Sequence, residues 1–392
     1  MKNDFLNDHE PIPIGFVGGG KNSSIGFSHR IASRIDNRFV MRAGVFSSDP
    51  EISKNLSISL GNSTHRSYTN FLEMAEKESS LEDGIKVVCI CTPPSQHYKI
   101  AKAFIEKNIH VICDKPMTTT LEDAIKLRKL VNEKKILFCL TYNYTGYPMV
   151  RQARQMILDE LLGKIHMINV EFPQGFMAGL DPAIAKESVG WRGIENDQNA
   201  GMSSILFDHA THSFHIAQYV SSLKITEVSA FVSKNIQSIG VDDNVYAMLK
   251  FGGGAHGLLW SSFVATGSEH GLRVRVYGSK GSIDWLQDNP NQLIFSSING
   301  PIQKFTKASK WVSDFSLENS RISAGHPEGY FDAFANLYSD FADALNNNIE
   351  LSTINEKNIF PNIEDGLNGT KFIYAAKLSS DNNGSWIKIN KF

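Results

Sequence analysis

No apolar run in the 392-residue chain approaches the roughly 20 residues needed to cross a bilayer, so no membrane-spanning helix is expected. Charge of one sign is not in excess. The 39 Lys and Arg are balanced by 41 Asp and Glu, a net charge of −2, so no bulk field draws the chain to nucleic acid or to an anionic membrane. Cysteine is scarce, and its four copies, Cys89, Cys91, Cys113 and Cys139, lie inside apolar β-branched runs. There they read as small buried hydrophobes, giving neither a disulfide framework nor a zinc knuckle. The opening stretch MKNDFLNDHEPIP mixes charges and prolines where a secretory leader has a positive start and an apolar core. Repeats and low-complexity segments are absent as well. These absences point to a cytoplasmic protein whose partner is a small molecule.

What is present is ordinary globular composition, 42% hydrophobic and 20% charged, in a chain long enough for two cores. As far as Asn143, short apolar runs alternate with helical stretches: IGFVG, FVMRAGVFS, VVCICTPP, IHVICDKP and ILFCLTYN. That alternation predicts βαβ units and a parallel sheet. Each run leaves its carboxyl end in loop chemistry, at Gly18 to Gly20, Ser47 and Ser48, Thr92-Pro93, Asp114-Lys115-Pro116, and Asn143. In an open α/β sheet those ends line the ligand crevice. Beyond a helix in YPMVRQARQMILDEL the runs lengthen and alternate, from KIHMINVEF through ITEVSAFVSK, NVYAMLKF, AHGLLWSSFVA and LRVRVYGS to GSIDWL. They predict a large, mostly antiparallel sheet in an α+β domain. The division expected is residues 1–143 and 144–392. Late helices in PEGYFDAFANLYSDFADAL and IEDGLNGTKFIYAAKL are not assigned to either core by the sequence.

The stretch IGFVGGGKNSSIGFSHRIA places four glycines between a strand and a helix. Such a turn lets a pyrophosphate approach backbone amides at a helix start, here Ser24 and Ile25. Gly18 and Gly20 form the first pair, but five residues precede Gly26, so the loop is three longer than G-x-G-x-x-G. The acid that takes the ribose hydroxyls should end the next strand. Ser47 and Ser48 stand there with Asp49 beyond, which leaves NAD and NADP both open.

Three further segments, CTPPSQH at 91–97, CDKPMTTTLEDA at 113–124 and DHATHSFH at 208–215, complete a pattern with the glycine loop. Together they resemble the Gfo/Idh/MocA family, the glucose-fructose oxidoreductase and inositol dehydrogenase relatives. GGGKNSSIGFSHR, NYTGYPMVRQAR, GHPEGYFDAFANLY and FPNIEDGLNGTKF are similar to a bacterial branch with levoglucosan-dehydrogenase-like members. The resemblance implies a Rossmann domain followed by an α/β domain with an open sheet, joined into a homo-oligomer, dimer or tetramer, through that sheet. It implies hydride transfer between NAD(P) and a sugar, anhydrosugar or cyclitol carbon. The family's Glu-Lys-Pro motif appears as Asp114-Lys115-Pro116, and its D-x-G-x-H segment as Asp208 to His212 with Ala210 for Gly. His215 replaces an Asp common in relatives.

The chemistry needs a base at the substrate hydroxyl with a pKa near neutrality, and His212 suits it. Asp208, four residues earlier, shares its face if one α-helix carries both. Lys115, at the end of a parallel strand, is expected to donate to the developing alkoxide. Thr92, Pro93 and His97 are expected to shape the nicotinamide side, with Asp114 and Lys115 beside the cofactor. Substrate contacts are expected from Asn143, Tyr144, Trp191, Arg192 and His326, with Glu328 close to the last. A metal site built on Asp208, His209, His212 and His215 is disfavoured, because these histidines are three apart rather than four and no distant ligand completes them. Two other functions compete with a dehydrogenase. One is an NAD-dependent glycoside hydrolase with a transient C3 ketone. The other is a nucleotide-binding sensor without turnover, against which stand intact Lys115, Asp208 and His212 and the lack of a basic DNA-reading segment.

Overall fold

Five near-continuous apolar runs form parallel strands in the computed structural model, which describes residues 10–181, 202–236, 240–357 and 359–392. They are β1 (Ile12–Gly18), β2 (Phe39–Val45), β3 (Val87–Cys91), β4 (His110–Cys113) and β5 (Phe138–Leu140). Their order is β2-β1-β3-β4-β5 and every neighbour is parallel. Such strands need no polar face because both sides of the sheet are covered. On one side Val88, Ile90 and Val111 pack with Phe104 and Leu127 from the crossover helices. On the other, Ile14, Phe16 and Val87 meet Phe334, Leu337, Tyr338 and Phe341. Each fully buried side chain of this size contributes about 1.5–3 kcal/mol.

Those last four residues belong to the helix Tyr330–Asn346, and they revise the expected domain limits. One unit comprises Asn3–Asn143 with Tyr330–Leu367, the other Tyr144–Gly329 with Asn368–Phe392. The chain changes units after Asn143, and residues 330–367 return to the unit of the parallel sheet. The physical reason is the apolar stripe of the helix Tyr330–Asn346, which fills the sheet face otherwise left short of cover.

The second unit is built on a nine-stranded sheet. Its strands are β6 (Ile165–Pro173), β7 (Ile225–Ser233), β8 (Asn244–Phe251), β9 (His256–Ser262), β10 (Arg273–Gly278), β11 (Gly281–Leu286), β12 (Gln292–Ser297), β13 (Ile302–Thr306) and β14 (Ile387–Lys388). The order is β13-β12-β11-β10-β6-β9-β8-β7-β14, antiparallel except where β6 lies parallel to β9. Six of these strands are foreseen in the sequence; β12, β13 and β14 are not. Helices Pro148–Leu158 and Thr211–Ser221 pack on one face. The opposite face is open: Phe231, Tyr246, Met248, Leu258 and Met167 stay exposed on neighbouring strands, with Met248 paired to Leu258 and Tyr246 to Trp260. Among the described residues no helix is long and apolar enough to cross a membrane.

Candidate active site

β1 leaves its sheet through Gly18 and Gly19, whose φ angles of 88° and 72° are the left-handed conformation that favours glycine. A Cβ on Gly18 would stand 2.7 Å from the backbone of Cys91 and Thr92, and one on Gly26 only 2.2 Å from the Gly19 Cα. The close pair is therefore Gly19 with Gly26. Sequence reading pairs Gly18 with Gly20 instead, because the three-residue insertion hides which glycine faces the helix. Ser23 N donates to Gly20 O at 3.0 Å, closing a turn over Lys21 and Asn22 that takes up the extra length. The Ser23 hydroxyl then accepts from Gly26 N at 3.1 Å, capping the helix Ser24–Ile35. Within the described residues the amides of Ser24 and Ile25 find no acceptor, as expected of a helix first turn. Those two donors beside a side-chain-free cradle fit a dinucleotide pyrophosphate.

β2 ends at Val45, with Ser47 half-buried and Ser48 and Asp49 exposed beyond it. Asp49 Oδ1 accepts from Ile52 N at 3.0 Å and caps the helix Pro50–Ser59, while its own amide donates to Ser47 Oγ. At the end of β3 the Thr92 hydroxyl is buried and has no protein partner, a group that a bound cofactor would satisfy. At the end of β5 the same holds for the Asn143 side-chain amide. His97 differs from expectation. It is fully buried, with Nδ1 2.8 Å from Pro116 O and Nε2 2.9 Å from Thr92 O, so it ties two strand ends together instead of facing a ligand. Burial holds its pKa down, against the pull of the Asp114 charge.

Asp114 points inward as well. Its Oδ1 accepts from Thr141 Oγ1 at 2.9 Å and lies 3.8 Å from His29 Nε2. Burial alone would raise its pKa, but His29, Lys115 and His97 together bring it below the usual carboxylate range. The carboxylate thus anchors the motif within the protein, beside a half-buried Lys115. The Lys115–Pro116 peptide is cis.

In the second unit, Tyr144 follows directly on Asn143. Its hydroxyl is 2.7 Å from His270 Nε2, and its ring meets the His212 ring edge-on, centroids 4.8 Å apart. His270 also contacts the Gln174 side chain. Sequence reasoning missed His270, a single histidine in the turn GSEHG whose proximity to Tyr144 has no local signal. Asp208 and His212 do not share one regular α-helix. Leu206–Ala210 forms a π-helical turn, where Thr211 N reaches back to Leu206 O, before the helix Thr211–Ser221 begins. Such widened turns recur at functional sites. Asp208, His209, His212 and His215 are all buried. His209 stacks on Phe172 at 4.1 Å with Phe263 edge-on, a packing role, and His215 stacks over Tyr219.

His326 lies exposed in a loop with Nδ1 3.3 Å from Ser323 Oγ. Glu328, expected at its side as a substrate contact, is instead buried against Lys307, Oε1 to Nζ 2.7 Å, and takes the amides of Arg321 and Ile322. Trp191 and Arg192 lie outside the described residues. Among the described residues no three His, Cys, Asp or Glu side chains converge to hold a metal ion.

A glycine cradle at the first βα turn of a parallel sheet, followed by a unit with a large open sheet, defines the class of two-domain dinucleotide-dependent oxidoreductases. Residues 12–142 match the model of the oxidoreductase family with an NAD-binding Rossmann fold, and residues 150–284 that of the GFO/IDH/MocA C-terminal domain. The chain belongs to the GFO/IDH/MocA family and is an NAD-dependent oxidoreductase. It is 32% identical over 387 residues to the uncharacterized oxidoreductase YfiI of Bacillus subtilis, covering 97% of both chains. It is 26% identical over 315 residues to levoglucosan dehydrogenase of Pseudarthrobacter phenanthrenivorans, covering 72% of this chain and 75% of that one. The crystal structure of an inositol dehydrogenase homolog from Azotobacter vinelandii, complexed with NADH and myo-inositol, superposes with a TM-score of 0.87 at 34% identity. That match covers 97% of this chain and 98% of the other.

Proposed function

We propose that the protein is a cytoplasmic dehydrogenase for a secondary alcohol on a cyclitol or anhydrosugar ring, with an inositol-like cyclitol as the first substrate to test. The observation that carries this reading is the 34% identical A. vinelandii structure holding NADH and myo-inositol. The polar side chains around Tyr144, His212 and His270 support it, since a polyol needs several donors and acceptors beside an aromatic wall. Bound NAD would supply the hydride acceptor. In the proposed step His212 takes the hydroxyl proton, Asp208 orients the imidazole, and Lys115 donates to the oxygen as it gains charge. Glycine-loop amides, Thr92 and Pro93 hold the cofactor, and Asn143, Tyr144, Arg192, Trp191 and His326 are the proposed substrate contacts.

The test is the absorbance change at 340 nm with inositols, levoglucosan and simple sugars, using NAD and NADP separately. Net NADH formation with one or more cyclitols or anhydrosugars is expected. Because Asp49 is engaged as a helix cap and Ser47 and Ser48 carry no charge, discrimination against NADP should stay below about a hundredfold, roughly 2.7 kcal/mol. Cleavage of an aryl glycoside without net NADH would overturn the dehydrogenase reading in favour of a hydrolase. NADH binding with no turnover of any kind would favour a sensor.

A further inference from the structure

Lys115 is flanked by two residues, and each faces a different buried histidine: His97 lies within hydrogen-bond distance of Pro116 O, whereas His29 Nε2 stands 3.8 Å from Asp114 Oδ1, a charge contact beyond hydrogen-bond distance. On the amino side, His29 comes from the helix that starts at the glycine loop. It is fully buried, with Nδ1 2.8 Å from Tyr338 Oη and Nε2 facing Asp114 Oδ1 at 3.8 Å. Tyr338 in turn reaches Cys89 Sγ at 3.3 Å, and Thr141 fixes the same Asp114 oxygen. On the carboxyl side, His97 Nδ1 is 2.8 Å from Pro116 O, while its Nε2 is 2.9 Å from Thr92 O.

A buried histidine is costly unless its polar atoms are used. Two of them around one half-buried lysine, from two separate helices, go beyond what packing of the sheet requires. Apolar residues of the same volume would fill both places. What an apolar side chain cannot do is fix the rotation of the Asp114 carboxylate or the Pro116 carbonyl, and these set where the Lys115 backbone points its side chain. The Tyr338 hydroxyl has one proton and two acceptors in reach, His29 Nδ1 at 2.8 Å and Cys89 Sγ at 3.3 Å; when the proton goes to Nδ1, a neutral ring carries its own proton on Nε2, on the Asp114 side.

We infer that His29 and His97 are positioning residues for Lys115, acting through Asp114 and through the Pro116 carbonyl respectively. The inference rests on the proposed role of Lys115 at the substrate oxygen. It also assigns different atoms of the two rings: Nε2 of His29 and Nδ1 of His97 carry the effect. Nδ1 of His29 serves only the Tyr338 contact, and the neutral His97 ring, with one N–H for two carbonyls, gives it to Pro116 O, so that its Nε2 only packs against Thr92 O.

Paired amide substitutions separate these atoms, since an Asn amide nitrogen occupies roughly the place of Nδ1 and a Gln amide that of Nε2. The four variants are His29→Gln, His29→Asn, His97→Asn and His97→Gln. Three measurements are made on each: NADH affinity by fluorescence titration, kcat on the best substrate, and the rate of Lys115 acetylation by acetic anhydride relative to exposed Lys129, read by peptide mass spectrometry. His29→Asn and His97→Gln should lower kcat about 10- to 100-fold, the scale of a misplaced catalytic group, with NADH affinity little changed. Their relative Lys115 labelling should also change by about threefold or more. His29→Gln and His97→Asn should stay much closer to wild type in both readouts.

Equal losses in all four variants, or the reverse pattern at either position, would overturn the inference and leave the two histidines as packing groups. The labelling arm needs no substrate. The expected labelling pattern in a protein that turns over no polyol would therefore uphold the positioning role while removing the proposed reaction.

Discussion

Gly26 lies directly on Gly19: a methyl group added to Gly26 would stand 2.2 Å from the Gly19 Cα and 3.0 Å from its carbonyl oxygen. This contact lets the helix start approach the end of β1, and it is backbone against backbone, so no side chain can swing away. Gly19 is also held at a φ of 72°, where an L side chain costs roughly 1–2 kcal/mol. Gly26→Ala and Gly19→Ala are expected to weaken NADH binding by about tenfold or more, 1.4 kcal/mol per decade. Fluorescence titration measures it directly. Gly20→Ala, whose Cβ would meet only Phe46 O at 2.8 Å, should be milder. Wild-type affinity in Gly26→Ala would remove this loop as the pyrophosphate cradle.

His110 predicts a pH dependence of stability. It opens β4, is pushed by burial from 6.5 down to about 4, and its Nδ1 accepts the Leu137 amide at 3.0 Å. A protonated ring cannot accept that bond. Between the two pKa values the unfolded chain binds a proton that the folded chain refuses. The contribution is therefore complete above about pH 6.5 and lost as pH falls toward 4, about 3 kcal/mol in all. Urea midpoints at pH 7 and pH 5 should differ more in wild type than in His110→Asn, which keeps an acceptor but does not titrate. Equal pH slopes in the two proteins would count against the assignment.

The open face of the large sheet predicts an assembly. Phe231 is 62% exposed, Leu258 55% and Tyr246 54%, on three adjacent strands. Contiguous apolar surface of this kind commonly marks an interface, and we propose that it joins copies of the chain into a dimer or tetramer. Leu258→Glu and Phe231→Glu place a charge in the middle of it without touching the buried face. Light scattering should show wild type as an oligomer and both variants shifted to monomer, with far-UV circular dichroism unchanged. A wild-type monomer at micromolar concentration would refute the proposal.

Much of this molecule is legible along the chain because its signals are local. Apolar runs ending in Gly18, Thr92 and Asp114 announce a parallel sheet with its loops at one end, and the alternation in NVYAMLKF announces a half-covered one. What is not legible depends on contacts between distant residues. Nothing in FDAFANLY says that Phe334 and Tyr338 cover β1 and β3, since an amphipathic stripe does not name its partner. Glu328 reads as a free acid in GHPEGY, yet it is buried against Lys307. His97 reads as a ligand residue from its place after a strand, and only the Pro116 and Thr92 carbonyls reveal it as an anchor. The π-helical turn at Leu206–Ala210 leaves no mark that regular helical spacing can detect.

The chemical step itself is tested by removing its proposed groups one at a time. His212 stands beside Tyr144 in a buried setting, and Lys115 is half-buried in its motif; neither belongs to the glycine loop proposed to hold the cofactor. Loss of a positioned base typically removes about 10²- to 10⁴-fold in rate, and loss of a donor to the developing alkoxide a comparable factor. Lys115→Ala and His212→Ala are expected to bind NADH within about threefold of wild type while kcat falls at least about a hundredfold. Asp208→Asn should cost less if the carboxylate only orients the ring. Tyr144→Phe separates the wall from the chemistry: it removes the hydroxyl that meets His270 but keeps the ring against His212, so KM should rise more than kcat falls. Near-normal turnover in His212→Ala would take the base role from it and pass it to Lys115, Tyr144 or His215, which the same assay on the double variants would then distinguish.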